Sequence, residues 1–261
     1  MPWFYGLGVT SDVPSDLSAP PGIARQQGQR KIALLSVAAA VFLAGTVVFS
    51  VGAHALLVLK PTAAQRAAAA AEAVAARWHT WPAGRIFPTA LSYSTGLLTT
   101  ETASRVEIAP QTSCSDALAA AQARRAARDQ CRAALRATYL DELQGVLFTV
   151  GILAFRNTRE AAAFAAGLPA TSATAFSLGV LALPGTTSSQ FRLAARQTAT
   201  ARQDGPFVLL TVAGYADGEP AGAGQQARPS IFAPAVQLAA EVLAPLTRPV
   251  TVNCASPQWS C

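Results

Sequence analysis

The segment RATYLDELQGVLFTVGILAFRNTREAAAFAAG, residues 136–167, spells a strand, a turn, a second strand and a helix in that order. Ala133 to Leu140 and Val146 to Phe155 are rich in β-branched, aromatic and other apolar residues, and a turn region around Gly145 separates them. Asn157-Thr158 then supplies an N-cap for a helix over Arg159 to Ala166, which Gly167-Leu168-Pro169 stops. The order returns downstream in RLAARQTATARQDGPFVLLTVAGYADG (192–218), followed after a loop by IFAPAVQLAAEVLAPL (231–246). Both second strands carry a related core, Thr149-Val150-Gly151 and Thr211-Val212-Ala213-Gly214, too short a match to establish a duplication. Hairpins followed by helices predict an antiparallel sheet with helices packed on one face, the α+β class.

Working outward, Arg85 to Ser94, Phe176 to Leu183, Gln190 to Ala201 and Phe207 to Tyr215 read as further strands, with Asp204-Gly205 as a hairpin signal. Ser115 to Asp129 reads as a helix capped by Ser113 or Ser115, and Asp217 to Ser230 as a Gly/Pro loop before the final amphipathic helix.

Upstream, Ile32 to Leu59 runs without a charged residue between Arg30-Lys31 and Lys60-Pro61. As a helix it would reach roughly 42 Å, more than the ~30 Å hydrocarbon core requires. Ala53-His54-Ala55 fits a signal-peptidase site, but apolar residues continue past it, so a retained transmembrane helix over 31–60 is favoured. Small residues Ser36, Ala40 and Ala44, with Gly45 and Gly52, leave room for helix–helix self-association. His54 is the sole ionisable group in the span and has no partner there for proton relay. Residues 1–30 read as a disordered cytoplasmic tail whose one conspicuous element, Trp3-Phe4-Tyr5-Gly6, is a docking motif, a head-group anchor or without a role. Residues 61–79, rich in alanine, read as a helical stalk, with Trp78 and Trp81 marking its docking onto the domain or the interface. Residues 80–261 form the remaining domain.

All four cysteines, Cys114, Cys131, Cys254 and Cys261, follow the apolar run, which suits an oxidising compartment for everything after residue 60. The flanking charges lean the same way, Arg25, Arg30 and Lys31 against Lys60 and Arg66. The expected location is therefore a single-pass protein of the cell membrane, N-terminus cytoplasmic and C-terminal domain extracytoplasmic. Local pairing, Cys114–Cys131 and Cys254–Cys261, is preferred, with cross-pairing to the tail as the alternative. One straight helix from 114 to 131 would hold its ends about 25 Å apart, against a ceiling near 7 Å. Local pairing therefore requires that helix to be short or broken. Without CxxC spacing, zinc is not expected.

The chain has 20 basic and 14 acidic residues, a net charge of +6 and a pI near 9.6. Lysine occurs only as Lys31 and Lys60, and the arginines are scattered, so nucleic acid is not the expected partner. Membrane lipid, an anionic polymer or an envelope protein fits better. Arg124, Arg128 and Arg132, one face of a helix if it continues, form the candidate contact, with Arg125 paired to Asp129 and Arg136 beyond. Catalytic motifs are lacking: histidine is limited to His54 and His79, and no Gly-x-Ser-x-Gly elbow or phosphate-binding loop occurs. Asp141-Glu142 is an adjacent acidic pair, and Gly222 to Ala227 mimics a dinucleotide fingerprint outside its required context. No cofactor is expected.

Cys131 to Tyr139 (CRAALRATY) and Phe148 to Phe155 (FTVGILAF), behind a leader and one span, resemble uncharacterised single-pass envelope proteins of high-GC bacteria with an exported, disulfide-bearing α+β domain. At the level of architecture the layout is also similar to the extracellular sensor domains of bacterial receptor kinases. The resemblance assigns no residue a role; the expected function is a membrane-anchored binding, sensor or accessory domain without catalysis. The alternatives are an envelope hydrolase or transferase lacking a recognisable site, and a scaffold joining cytoplasm and envelope.

Overall fold

A computed structural model describes residues 35–49, 60–95, 99–168, 178–181, 184–220, 229–256 and 259. The chain divides into two compact units, Met1–Lys60 and Pro61–Cys261.

In the first unit the described residues form one apolar helix, α1 (Leu35–Phe49). Every residue of it is exposed, Leu35 at 71%, Phe42 at 73% and Phe49 at 79%. The outer parts of the expected span, 32–34 and 50–59, lie outside the described residues, as do the tail over 1–30 and the signal-like Ala53-His54-Ala55. The stretch that is described would reach only about 22 Å. A complete N-terminal span is thus not shown. Among the described residues, one helix is long and apolar enough to cross a membrane by length and composition, Ser230–Thr247, near the C-terminus.

The second unit is α+β. Six strands form one antiparallel sheet: β1 (Ala90–Ser94), β2 (Thr100–Ile108), β3 (Cys131–Leu140), β4 (Val146–Phe155), β5 (Arg196–Asp204) and β6 (Phe207–Tyr215), in the order β1-β2-β3-β4-β6-β5. Its helices are α2 (Ala63–Ala75), α3 (Arg77–Thr80), α4 (Ala83–Ile86), α5 (Cys114–Ala117), α6 (Ala120–Arg128), α7 (Thr158–Ala165), α8 (Pro229–Phe232) and α9 (Pro234–Thr247).

All ten residues of β4 are buried, so both sheet faces must be covered. Phe148, Val150 and Ile152 face one core with Leu238, Val242 and Leu246 of α9. Leu147, Leu153 and Phe155 face a second core with Ala126 of α6 and Phe164 of α7. This corrects the expected single helical face. A strand apolar at every position, as 146–155 is, cannot leave one side to water.

The sheet curls, because α9 touches β5 and β6 at one end and β1 at the other. Hydrogen bonds fix both edges. The Ser94 N–H donates to Gln237 Oε1 at 2.8 Å and Gln237 Nε2 donates to the Ser94 carbonyl at 3.0 Å, while Thr247 Oγ1 donates to Asp204 Oδ2 at 2.8 Å. Seven α9 residues are buried: Pro234, Ala235, Leu238, Ala239, Val242, Leu243 and Leu246. The most membrane-like helix of the unit therefore serves as the plug of its core.

The two Thr-Val matches lie directly across β4 and β6, Thr149 opposite Val212 and Val150 opposite Thr211. Strand alternation puts Thr149 on the α7 face and Thr211 on the α9 face, and their helices cover opposite sides. The similar order is not a repeated packing unit.

Several expected boundaries move. The strand assigned to 85–94 begins at Ala90, after α4. β2 was not foreseen; only Ala103 of TETASRVEI is buried, so it carries no apolar alternation to read. Half of the strand assigned to 176–183 lies outside the described residues, and Leu178 makes only an isolated bridge with Leu118. The 204–207 hairpin forms as expected, with Asp204 opposite Phe207 and Gly205 at φ 52°.

The 115–129 helix breaks into α5 and α6 at Leu118-Ala119, and Gln130, at φ 63°, turns the chain into β3. Cys114 and Cys131 consequently approach to 6.5 Å between Cα atoms and form a disulfide. Cys254 is disulfide-bonded too, and its expected partner, Cys261, lies outside the described residues.

α2 starts with a capping box, in which Gln65 N–H donates to Thr62 Oγ1 and Thr62 N–H to Gln65 Oε1. It is not a free stalk. Ala69 is buried, Val74 and Trp78 pack on the α9-side core, and Arg77 donates through Nη1 to the Leu246 carbonyl at 2.8 Å. Alanine side chains suit close approach as well as they suit a solvated rod.

Gly214 faces a crowded point, where an added Cβ would overlap the Ala195 carbonyl oxygen and the Phe191 ring; at Gly145 it would meet nothing within 4 Å. Gly214→Ala is expected to cost about 1–3 kcal/mol of stability. Gly145→Ala should stay within about 0.5 kcal/mol. Chemical denaturation of the two variants checks the contrast.

Candidate functional site

The expected arginine row is only partly assembled. Arg124 and Arg128 are exposed and four residues apart on α6, but the helix ends at Arg128. Arg132 is exposed beyond the turn, at the irregular start of β3 where register shifts between Cys131 and Ala133. No helical face joins the three. Arg125 is structural: it pairs with Asp129 at 3.5 Å, as expected, and donates through Nη2 to the Ala163 carbonyl of α7 at 2.9 Å. Arg136 is not a surface residue. It is buried on β3 and donates to the Gly179 carbonyl at 2.9 Å, with its Nε lacking a partner among the described residues. Burial lowers its pKa, opposed by the charges of Asp116 and Glu107.

Clefts open on the second unit among the described residues. One, about 770 Å³, lies beside α2 between Ala68 and Ala71, Arg156 and Arg159, and Pro249 and Val250. Another, about 650 Å³, sits over the turn that joins β3 to β4, with Phe148 and Val146 on its floor and Tyr93, Glu101, Asp141 and Tyr215 around it. Tyr93 donates its hydroxyl to Glu101 Oε2 at 2.7 Å. Its pKa is raised first by burial, then by that hydrogen bond and the negative charges of Glu101, Asp141 and Glu142. Leu143, 84% exposed, stands at the same mouth.

A third, about 380 Å³, is lined by Arg77, Thr80, Trp81, Arg85, Val250 and Trp259, among others. The Trp81 ring carries two guanidiniums, Arg85 at 3.7 Å and Arg77 at 4.9 Å from its centroid. Arg77 is buried; its pKa is lowered by desolvation, then by the like charges of Arg85 and Arg248. Sequence reading picked out Trp81 as a docking residue and missed the cluster. The signal was the spacing Arg77-x₃-Trp81-x₃-Arg85, obscured because Pro82 interrupts the helix that would display it.

Nucleophile–base chemistry is not assembled around these clefts among the described residues. His79 is exposed, with its ring edge-on to Trp78 at 4.7 Å. Asp141 uses Oδ1 to accept from the Val146 N–H at 2.7 Å, a turn-closing role. No group of three His, Cys, Asp or Glu side chains that could hold a metal ion occurs among the described residues. The glycine-rich Gly222 to Ala227 lies outside them. The chain matches no protein-family model, no curated protein and no solved structure.

Tyr139, whose hydroxyl donates to the Pro88 carbonyl at 3.0 Å, is raised by burial as Tyr93 is, with Arg105 opposing. Folded-state values above the unfolded one, near 10, mean that the folded state keeps these protons longer. Their contribution is complete below about pH 10 and is lost as pH rises above it. Unfolding free energy should therefore fall between about pH 9 and about pH 11, and fall less in Tyr93→Phe. Denaturant titration at the two values measures both.

Proposed function

We propose that the chain is a membrane-anchored, extracytoplasmic binding protein without catalytic activity, which engages a ligand or partner of the envelope. The observation that carries this reading is α1, whose apolar side chains are exposed around its whole circumference. A helix of that kind has no stabilising surroundings in water and finds them in hydrocarbon. The charge-free sequence around it, from Ile32 to Leu59, supplies enough length for a span.

The cysteines support the proposed side of the membrane. The Cys114–Cys131 disulfide belongs to the unit after residue 60, and disulfides persist in exported compartments. Binding rather than catalysis is supported by the clefts, which combine apolar walls such as Val74, Val146, Phe148 and Val250 with charged side chains. Arg124, Arg128 and Arg132 are exposed cations available to anionic lipid or polymer, and the small residues of the span leave room for self-association.

Alkaline carbonate washing of membranes from cells expressing the full chain tests the anchor. The wild type is expected in the pellet, and the double variant Val41→Asp, Phe42→Asp in the supernatant. Wild-type protein released by the wash would overturn the reading.

A further inference from the structure

We infer that Arg77 and Arg85, gathered about the indole of Trp81, form a binding pocket for a phosphate group. This deepens the binding part of the proposed function, rests on it, and is independent of the anchor.

Three local features build the pocket. α3 ends at Trp81, Pro82 turns the chain, and α4 brings Arg85 back over the same ring at 3.7 Å from its centroid. Arg77, at 4.9 Å from that centroid, is held from behind by the Leu246 and Pro245 carbonyls at 2.8 and 3.3 Å. Those carbonyls belong to the last turn of α9, which delivers Arg248 just past its end. The charge is uncompensated: no carboxylate among the described residues lies within ion-pair distance of any of the three.

Gathering like charges costs energy unless an anion offsets it. Arg77 has only Nη1 engaged with these carbonyls, and the exposed side chains of Arg85 and Arg248 are open to solvent. A guanidinium presents five donors in a fork that fits phosphate oxygens. Two such forks, with the charge of Arg248 also felt at Arg77, suit a group with several oxygens and up to two negative charges. The cleft of about 380 Å³, with Thr80, Val250 and Trp259 on its walls, has room for the rest of a small phosphorylated molecule.

The phosphate could belong to a soluble ester or to a lipid head group, and one titration separates them. Inorganic phosphate is titrated into the full chain in neutral detergent at constant ionic strength, followed by tryptophan fluorescence. Saturable binding is expected, weakened at least tenfold in Arg85→Ala and unchanged in Arg202→Ala, an exposed arginine of β5. The titration is repeated in phosphatidylcholine vesicles with and without phosphatidylglycerol. Tenfold weaker phosphate binding with phosphatidylglycerol identifies a head-group site, and unchanged binding a soluble ligand; both support the pocket. Absence of saturation, or equal loss in Arg202→Ala, overturns it. Carbonate resistance of the wild type is read separately, so failure of the pocket is distinguishable from failure of the anchor.

Discussion

Closure of the curled sheet around α9 is the interaction on which the rest of the domain depends. The helix reaches both ends of the sheet: Gln237 gives the β1 edge at Ser94 a donor and an acceptor, and Thr247 holds Asp204 at the β5 end. Between those points Leu238, Val242 and Leu246 meet Phe148, Val150 and Ile152. The last turn of α9 also positions α2 and α3, because its carbonyls accept from Arg77. Sheet curvature, the docking of the alanine-rich helix and the hold on Arg77 are therefore consequences of one seated helix. The opposite face follows a different logic. There β4 brings Gly151 under Leu178 and β6 brings Gly214 under Ala195, so absent side chains let loops lie close to the strands.

Strongly apolar elements were legible from the sequence, and elements defined by their neighbours were not. β4 and β6 could be read because ten and nine residues of dense β-formers bound by turns have few other uses. β2 could not, since its side chains are mostly half-exposed and polar, and it is a strand only because β1 and β3 flank it. Helices on both faces were implicit in the uninterrupted apolar run of β4, but hairpin-then-helix order drew the reading toward one face. The break between α5 and α6 was legible through covalent geometry alone, as a condition for joining Cys114 to Cys131.

The site was less legible than the fold. A row of arginines at helical spacing points to Arg124, Arg128 and Arg132, yet the turn at Asp129-Gln130 ends the helix before the third. Arg136, next in that series, is drawn into the core. The arginines that converge on Trp81 come from separate elements, Arg77 from α3 and Arg85 from α4. Their spacing about Trp81 is local, but the carbonyls that hold Arg77 come from the tertiary seating of α9, which no local spacing encodes. The same dependence explains why hydropathy marks Ser230–Thr247 as membrane-like. A helix filling a curled sheet needs nearly the apolar character that lipid would demand.

Hydrogen exchange of the full chain reconstituted in lipid vesicles measures that seating directly. If α9 is the plug of the domain, its amides exchange together with those of β4 and β6, through the same global opening. β1 should also be protected beyond what a sheet edge normally shows, because Ser94 is tied to Gln237. An α9 whose amides exchange independently of β4 and β6, with a rate set by the presence of lipid, would be a membrane helix and would contradict the account.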